Sequence, residues 1–170
     1  MNNSKVRYLT RTAMLLALTI ALQIFGRAVI PGFSNLVVGP LVNACLLIST
    51  GLVGIYSGTV IAILSPFVAL FTGAPIPLPL LFFVALGNFV LVFLFHIFKK
   101  KKVVGIISGA VVKFLVIYGS LILILPYFKV PAAQIAKLAS NTFGWVQLIT
   151  ALIGGIVALP VILRLEKHVK

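Results

Sequence analysis

Long apolar stretches separated by short polar or proline-rich breaks run the length of the chain, and from residue 28 to residue 98 there is no formally charged side chain. One bilayer crossing takes about 20 residues, so that block alone holds three. Pro31-Gly32 with Ser34-Asn35 closes the first span, and Gly51 and Gly54 bracket a tight turn after the second. The Gly73-Ala74-Pro75-Ile76-Pro77-Leu78-Pro79 segment ends the third, because proline cannot continue a helix interior. Beyond the basic run Lys99 to Lys102 a fifth span leads to Pro126. A polar connection with Lys129, Pro131, Gln134 and Lys137 then has the pattern of a short amphipathic helix at the interface. The pattern predicts an all-α integral membrane protein, one domain over residues 1–170 with six transmembrane helices, at about 10–26, 36–52, 55–71, 80–98, 103–125 and 142–163.

Composition sharpens this reading. A chain that is 62% hydrophobic and 9% charged is not a soluble globular domain. Lys and Arg total 14 against a single acid, Glu166. In a soluble protein that excess would suggest nucleic acid. In a membrane protein it belongs to short cytoplasmic segments. Six crossings put both termini on one side. With that side cytoplasmic, Lys5, Arg7, Arg11, Lys99 to Lys102, Arg164, Lys167 and Lys170 are inside, against Arg27, Lys129 and Lys137 outside. The N- and C-termini are therefore expected in the cytoplasm. The basic start before an apolar stretch lacks a small-residue cleavage site leading into a soluble domain and reads as a retained first span. The lone Cys45 cannot form an internal disulfide.

The first span carries two special stripes. Helical spacing aligns Ala13, Ala17 and Ala21, a row of small residues that would let another backbone approach closely, although alanine is also simply common in membrane helices. Thr12, Thr19 and Gln23 form a second stripe that should turn towards other helices of the chain.

Deeper in the chain, Lys113 lies eleven residues beyond Lys102, roughly 16 Å along a helix, too far to belong to the cytoplasmic margin. Asn88 precedes Lys99 by the same interval, so the two could meet. Lys113 has no carboxylate partner within the spans. It is neutral, snorkels outward, bonds to amides such as Asn88, or meets an anionic ligand. Gln147 shares an interior face with Ala151, Gly154 and Ala158. Asn43 and Ser65-Pro66 read as helix–helix glue or pocket lining, and Trp145 as an interface-belt residue or a binding aromatic. The candidate binding residues are thus Asn88, Lys113, Gln147, Asn43 and Trp145. Without an acid in any span there is no carboxylate pair, acidic proton relay or acidic metal cluster, and no Walker-type loop occurs. Neither an enzyme, a metal site nor a cofactor is expected.

Six short spans, Arg11 followed by Ala13-x-x-x-Ala17, and the GPLVNACLL and GLVGIYSGTVIAILSP segments together resemble the substrate-binding S components of energy-coupling factor (ECF) transporters, over essentially the whole chain. The resemblance implies a prokaryotic cell-membrane protein that binds a vitamin or related micronutrient from outside. It also implies association with a T component and two ATPases through Ala13 and Ala17, and release of substrate by toppling in the membrane. It further implies a pocket in the outer half, between spans 4 to 6 and capped by Ile30 to Asn35; the depth argument places Asn88, Lys113 and Gln147 there. The Met1-Asn2-Asn3 start departs from the Met-His start of the nickel and cobalt branch, and strongly cationic substrates would lack a counter-charge, which leaves a neutral or anionic vitamin. The competing readings are a six-span scaffold like the MreD-like cell-shape proteins, which are similar in fold, and a self-sufficient channel or carrier, which the lack of intramembrane acids and of clear inverted repeats disfavours.

Overall fold

The computed structural model describes residues 3–29 and 34–169, apart from the side chains of Ser34, His168 and Val169. The Met1-Asn2 start and most of the cap expected at Ile30 to Asn35 lie outside the described residues. Among those described there is no strand. The chain forms α1 (Asn3–Val29), α2 (Ser34–Leu52), α3 (Ile55–Phe71), α4 (Leu78–Ile97), α5 (Lys102–Leu123), a 3₁₀ turn (Leu125–Phe128), the short α6 (Ala132–Leu138), a π turn (Ala139–Phe143) and α7 (Trp145–Val169). Five helical stretches are long and apolar enough to cross a membrane, and α3, with 17 residues, is shorter but apolar. The chain is an all-α membrane protein.

The helix limits differ from the expected spans for local reasons. About two turns of α1 precede residue 10, because a helix continues past the apolar zone where its polar side chains reach water. Two residues before the expected start, α4 begins at Leu78: Pro79 falls in the first turn, where its missing N–H is not needed. The third helix ends in a Schellman cap. Gly73 takes φ 87°, its N–H donates to Leu70 O at 3.1 Å, and the N–H of Ala74 donates to Ala69 O at 2.9 Å. Between α2 and α3 the reversal is made by Gly54 alone, at φ 139°. Gly51 is not part of that turn. It stays within α2, where an added Cβ would come 3.1 Å from Ile162 of α7. The expected amphipathic connection is α6, with Ile135 and Leu138 buried and Gln134 and Lys137 exposed.

Glycine sets the closest helix contacts. At Gly105 and Gly109 an added Cβ would meet the backbone of Phe95 (Cα, 3.1 Å) and Leu91 (O, 3.2 Å), so α5 lies almost directly on α4. The most extensive pairing is α2 with α7. There a Cβ on Gly154 would come 2.6 Å from Asn43 Cβ and 2.7 Å from Pro40 O. Two apolar clusters form, one at each end of the bundle. Leu80, Leu81, Ile117, Leu121 and Phe143 belong to the first, and Leu46, Leu47, Ile61, Leu91, Phe95 and Ile162 to the second. Along α4 and α5, Asn88 and Lys113 fall between them.

The least buried of the candidate spans is α1. Its polar stripe does turn inward. Thr19 and Gln23 are buried, and Thr12 Oγ1 lies 2.9 Å from Ser57 Oγ of α3. Nearby, the Ser57 N–H donates to the Tyr8 hydroxyl at 2.8 Å, pinning the start of α1 to the start of α3. Ala13 and Ala17 are exposed and Ala21 partly so, leaving the small-residue stripe uncovered.

Candidate functional site

A cavity of about 90 Å³ lies where α1 ends and α2 and α7 begin, at the end of the bundle opposite the Lys99–Lys102 run. Every long helix contributes to its wall. Asn43 from α2, Asn88 from α4, Lys113 from α5 and Gln147 from α7 all line it, so four of the five residues expected to bind ligand share one space. Trp145 does not join them. It is 56% exposed and points away from the cavity, since its place at the first position of α7 turns it outward while Val146 and Gln147 face in.

Lys113 does not snorkel. It is only 2% exposed, and its Nζ donates to Asn43 Oδ1 at 2.6 Å. The expected pairing with Asn88 is not made, for a backbone reason. Pro66 has no N–H, which frees the carbonyl of Ala62 one turn earlier in α3. The Asn88 Nδ2 group donates to Ser65 Oγ at 3.2 Å and reaches that carbonyl at 3.5 Å. A neighbouring helix thus serves the break, as membrane helices with internal proline require. Ser65 and Pro66 are therefore glue and lining at once.

The mouth is organised by the π turn. Asn35 Nδ2 donates to Thr142 Oγ1 at 3.2 Å, and Gln147 Nε2 donates to the Thr142 carbonyl at 3.0 Å, tying the start of α2 to the approach to α7. Gly144 permits this path, because a Cβ there would collide with the carbonyl of Ala139. Beside the mouth a surface groove of about 600 Å³ runs between Ala74–Pro77 and α6, sharing Ala74, Ile76 and Thr142 with the cavity wall.

Sequence reasoning missed part of this wall. The cavity is not confined to spans 4 to 6. Gln23 and Arg27 of α1 line it, as do Thr142 and Thr150, while Asn35, the last residue of the expected cap, is on the wall as expected. Arg27 reads in the sequence as an ordinary loop charge, yet it continues the inward stripe one turn beyond Gln23, and that i, i+4 spacing was the available signal. Both residues carry a buried nitrogen with no hydrogen-bond partner, Nε2 in Gln23 and Nε in Arg27. The wall therefore holds two basic side chains, Lys113 and Arg27, several amides and hydroxyls, and no carboxylate. The one acid, Glu166, lies at the opposite end, 3.0 Å from Lys102 Nζ.

A family model, "ECF transporter, substrate-specific component", matches residues 7–166. The chain belongs to this family. No curated protein and no solved structure matches it. An ECF substrate-specific component is a transport protein that holds substrate, which agrees with a cavity between the helices whose wall carries polar side chains and no carboxylate.

Proposed function

We propose that the chain is the substrate-binding subunit of an ECF-type uptake transporter of the prokaryotic plasma membrane, taking a neutral or anionic vitamin or related micronutrient from outside. It docks on a T component with two ATPases through Ala13 and Ala17, with Ala21 extending the same stripe. Asn43, Asn88, Lys113 and Gln147 contact the substrate.

The observation that carries this reading is the cavity itself: a space walled by all six long helices, with polar groups converging on an otherwise apolar lining. Its size supports a moving wall. Sites for small molecules commonly occupy about 300–1,000 Å³, and the space present is about 90 Å³. Displacement of Ala74–Pro77 would join it to the adjacent groove, so substrate enters past that segment. The uncovered alanine stripe on the least buried helix supplies a face for a partner, which a self-sufficient carrier does not need. Family membership favours the carrier over a cell-shape scaffold.

The test is co-expression with an ECF T component and ATPase pair. The expected result is a stable complex and ATP-dependent uptake. A chain that inserts normally yet neither associates with the module nor supports uptake would overturn the proposal.

A further inference from the structure

We infer that the deep end of the cavity is a carboxylate subsite built from Lys113 Nζ and Gln23 Nε2, and that the substrate is a compact organic anion with an apolar body. The inference rests on the proposed binding role and narrows it to one class of ligand.

Gln23 is the decisive residue. It is 1% exposed and lines the cavity, and its Nε2 donor has no partner. A buried donor left unsatisfied is costly, so such a group calls for an acceptor, and the cavity that Gln23 lines offers room for one. The helix register brings it near Lys113. Gly26 of α1 packs against Val38 of α2, and the two helices run antiparallel. Gln23, three residues back from Gly26, therefore lies within about one turn of Asn43, which holds Lys113 Nζ. An ammonium has three donors, and the bond to Asn43 uses one. One turn towards the mouth, Arg27 presents a second unpartnered buried donor to the same space.

The missing element is an acceptor carrying negative charge. Two donors at one level match the two coplanar oxygens of a carboxylate. A cation would meet Lys113 and Arg27 with no acid to balance them. Above this level the wall is largely apolar, with Val38, Val42, Ala69, Ile76, Val84 and Phe143, which suits a hydrocarbon body.

The probes are butyrate, butyramide and butyl phosphate, titrated calorimetrically against the purified full chain. A charge-assisted hydrogen bond contributes about 1.5–3 kcal/mol, so butyrate should bind about 10- to 100-fold more tightly than butyramide. Gln23→Leu and Lys113→Met should each remove most of that preference, and Lys113→Arg should restore part of it. Equal binding of acid and amide, stronger binding of butyl phosphate, no butyrate binding at millimolar concentration, or a preference that survives Gln23→Leu would each overturn the subsite. Gln23→Leu carries the test if Lys113→Met does not fold. Absence of the preference in the unsubstituted chain, with intact association with the ATPase module, would overturn the subsite alone. A preference kept without that association would overturn only the transporter reading.

Discussion

At the scale of single residues the cavity is expensive to maintain. A cation that is 2% exposed and held by one amide oxygen stabilises a bundle poorly, because desolvation of a buried charge exceeds what a single hydrogen bond returns. The two partners should therefore behave oppositely. Lys113→Met removes the buried charge and keeps the volume, so thermal stability in detergent should hold or rise. Asn43→Leu also keeps the volume but strands the ammonium, and should lower stability by about 2–3 kcal/mol. A clear loss of stability in Lys113→Met would show that the lysine is structural. Here the sequence was only partly legible. The depth of Lys113 could be counted from Lys102, but its partner could not. Asn43 and Asn88 are chemically equivalent candidates, and the choice between them depends on the Ala62 carbonyl that Pro66 frees, which is settled by the register of α4 on α3.

Helices raise different questions, because each has to serve two neighbours at once. The pairing of α2 with α7 depends on Gly154, where an added Cβ would press on Pro40 O at 2.7 Å and Ala44 N at 3.0 Å, both backbone atoms that cannot rotate away. Gly154→Ala should destabilise the protein by about 1–3 kcal/mol, read as a lower unfolding temperature. It should also weaken ligand binding, since Asn43 is displaced with α2; wild-type stability would mean that the helices separate more freely than this packing allows. The first helix faces two ways, with Gln23 and Arg27 turned into the cavity and Ala13 and Ala17 exposed. Ala13→Leu or Ala17→Leu adds bulk where this chain offers no contact, so the isolated protein should keep its stability while association with the T component is lost. Intact assembly of both variants would remove the stripe from the docking face. The stripes Ala13-Ala17-Ala21 and Thr12-Thr19-Gln23 could be read directly from spacing, as could the breaks that end α3 and α5. The start of α4 and the helical length of α1 could not, because hydropathy marks the apolar zone rather than the hydrogen-bonded one.

For the whole molecule the question is which way it sits. Six long helices return the chain to the side from which it started, and the ion pair between Lys102 and Glu166 fixes the lysine run and the C-terminal part of α7 at one end, with the cavity at the other. Hydropathy and charge made this arrangement of ends legible in advance. The end of α1 joining the cavity wall through Gln23 and Arg27 was not, since contacts between distant helices leave no period in a sequence. Positive charge is retained on the cytoplasmic side, and basic residues crowd the lysine end, so the cavity should open outward. The native cysteine makes this testable without background, because Cys45 is buried. Ser140→Cys places a thiol at an exposed site beside the mouth, and Lys100→Cys places one in the exposed turn at the other end. In intact cells a membrane-impermeant maleimide should label the first and not the second, and permeabilisation should make both reactive. The opposite pattern would turn the cavity towards the cytoplasm, where uptake from outside could not begin.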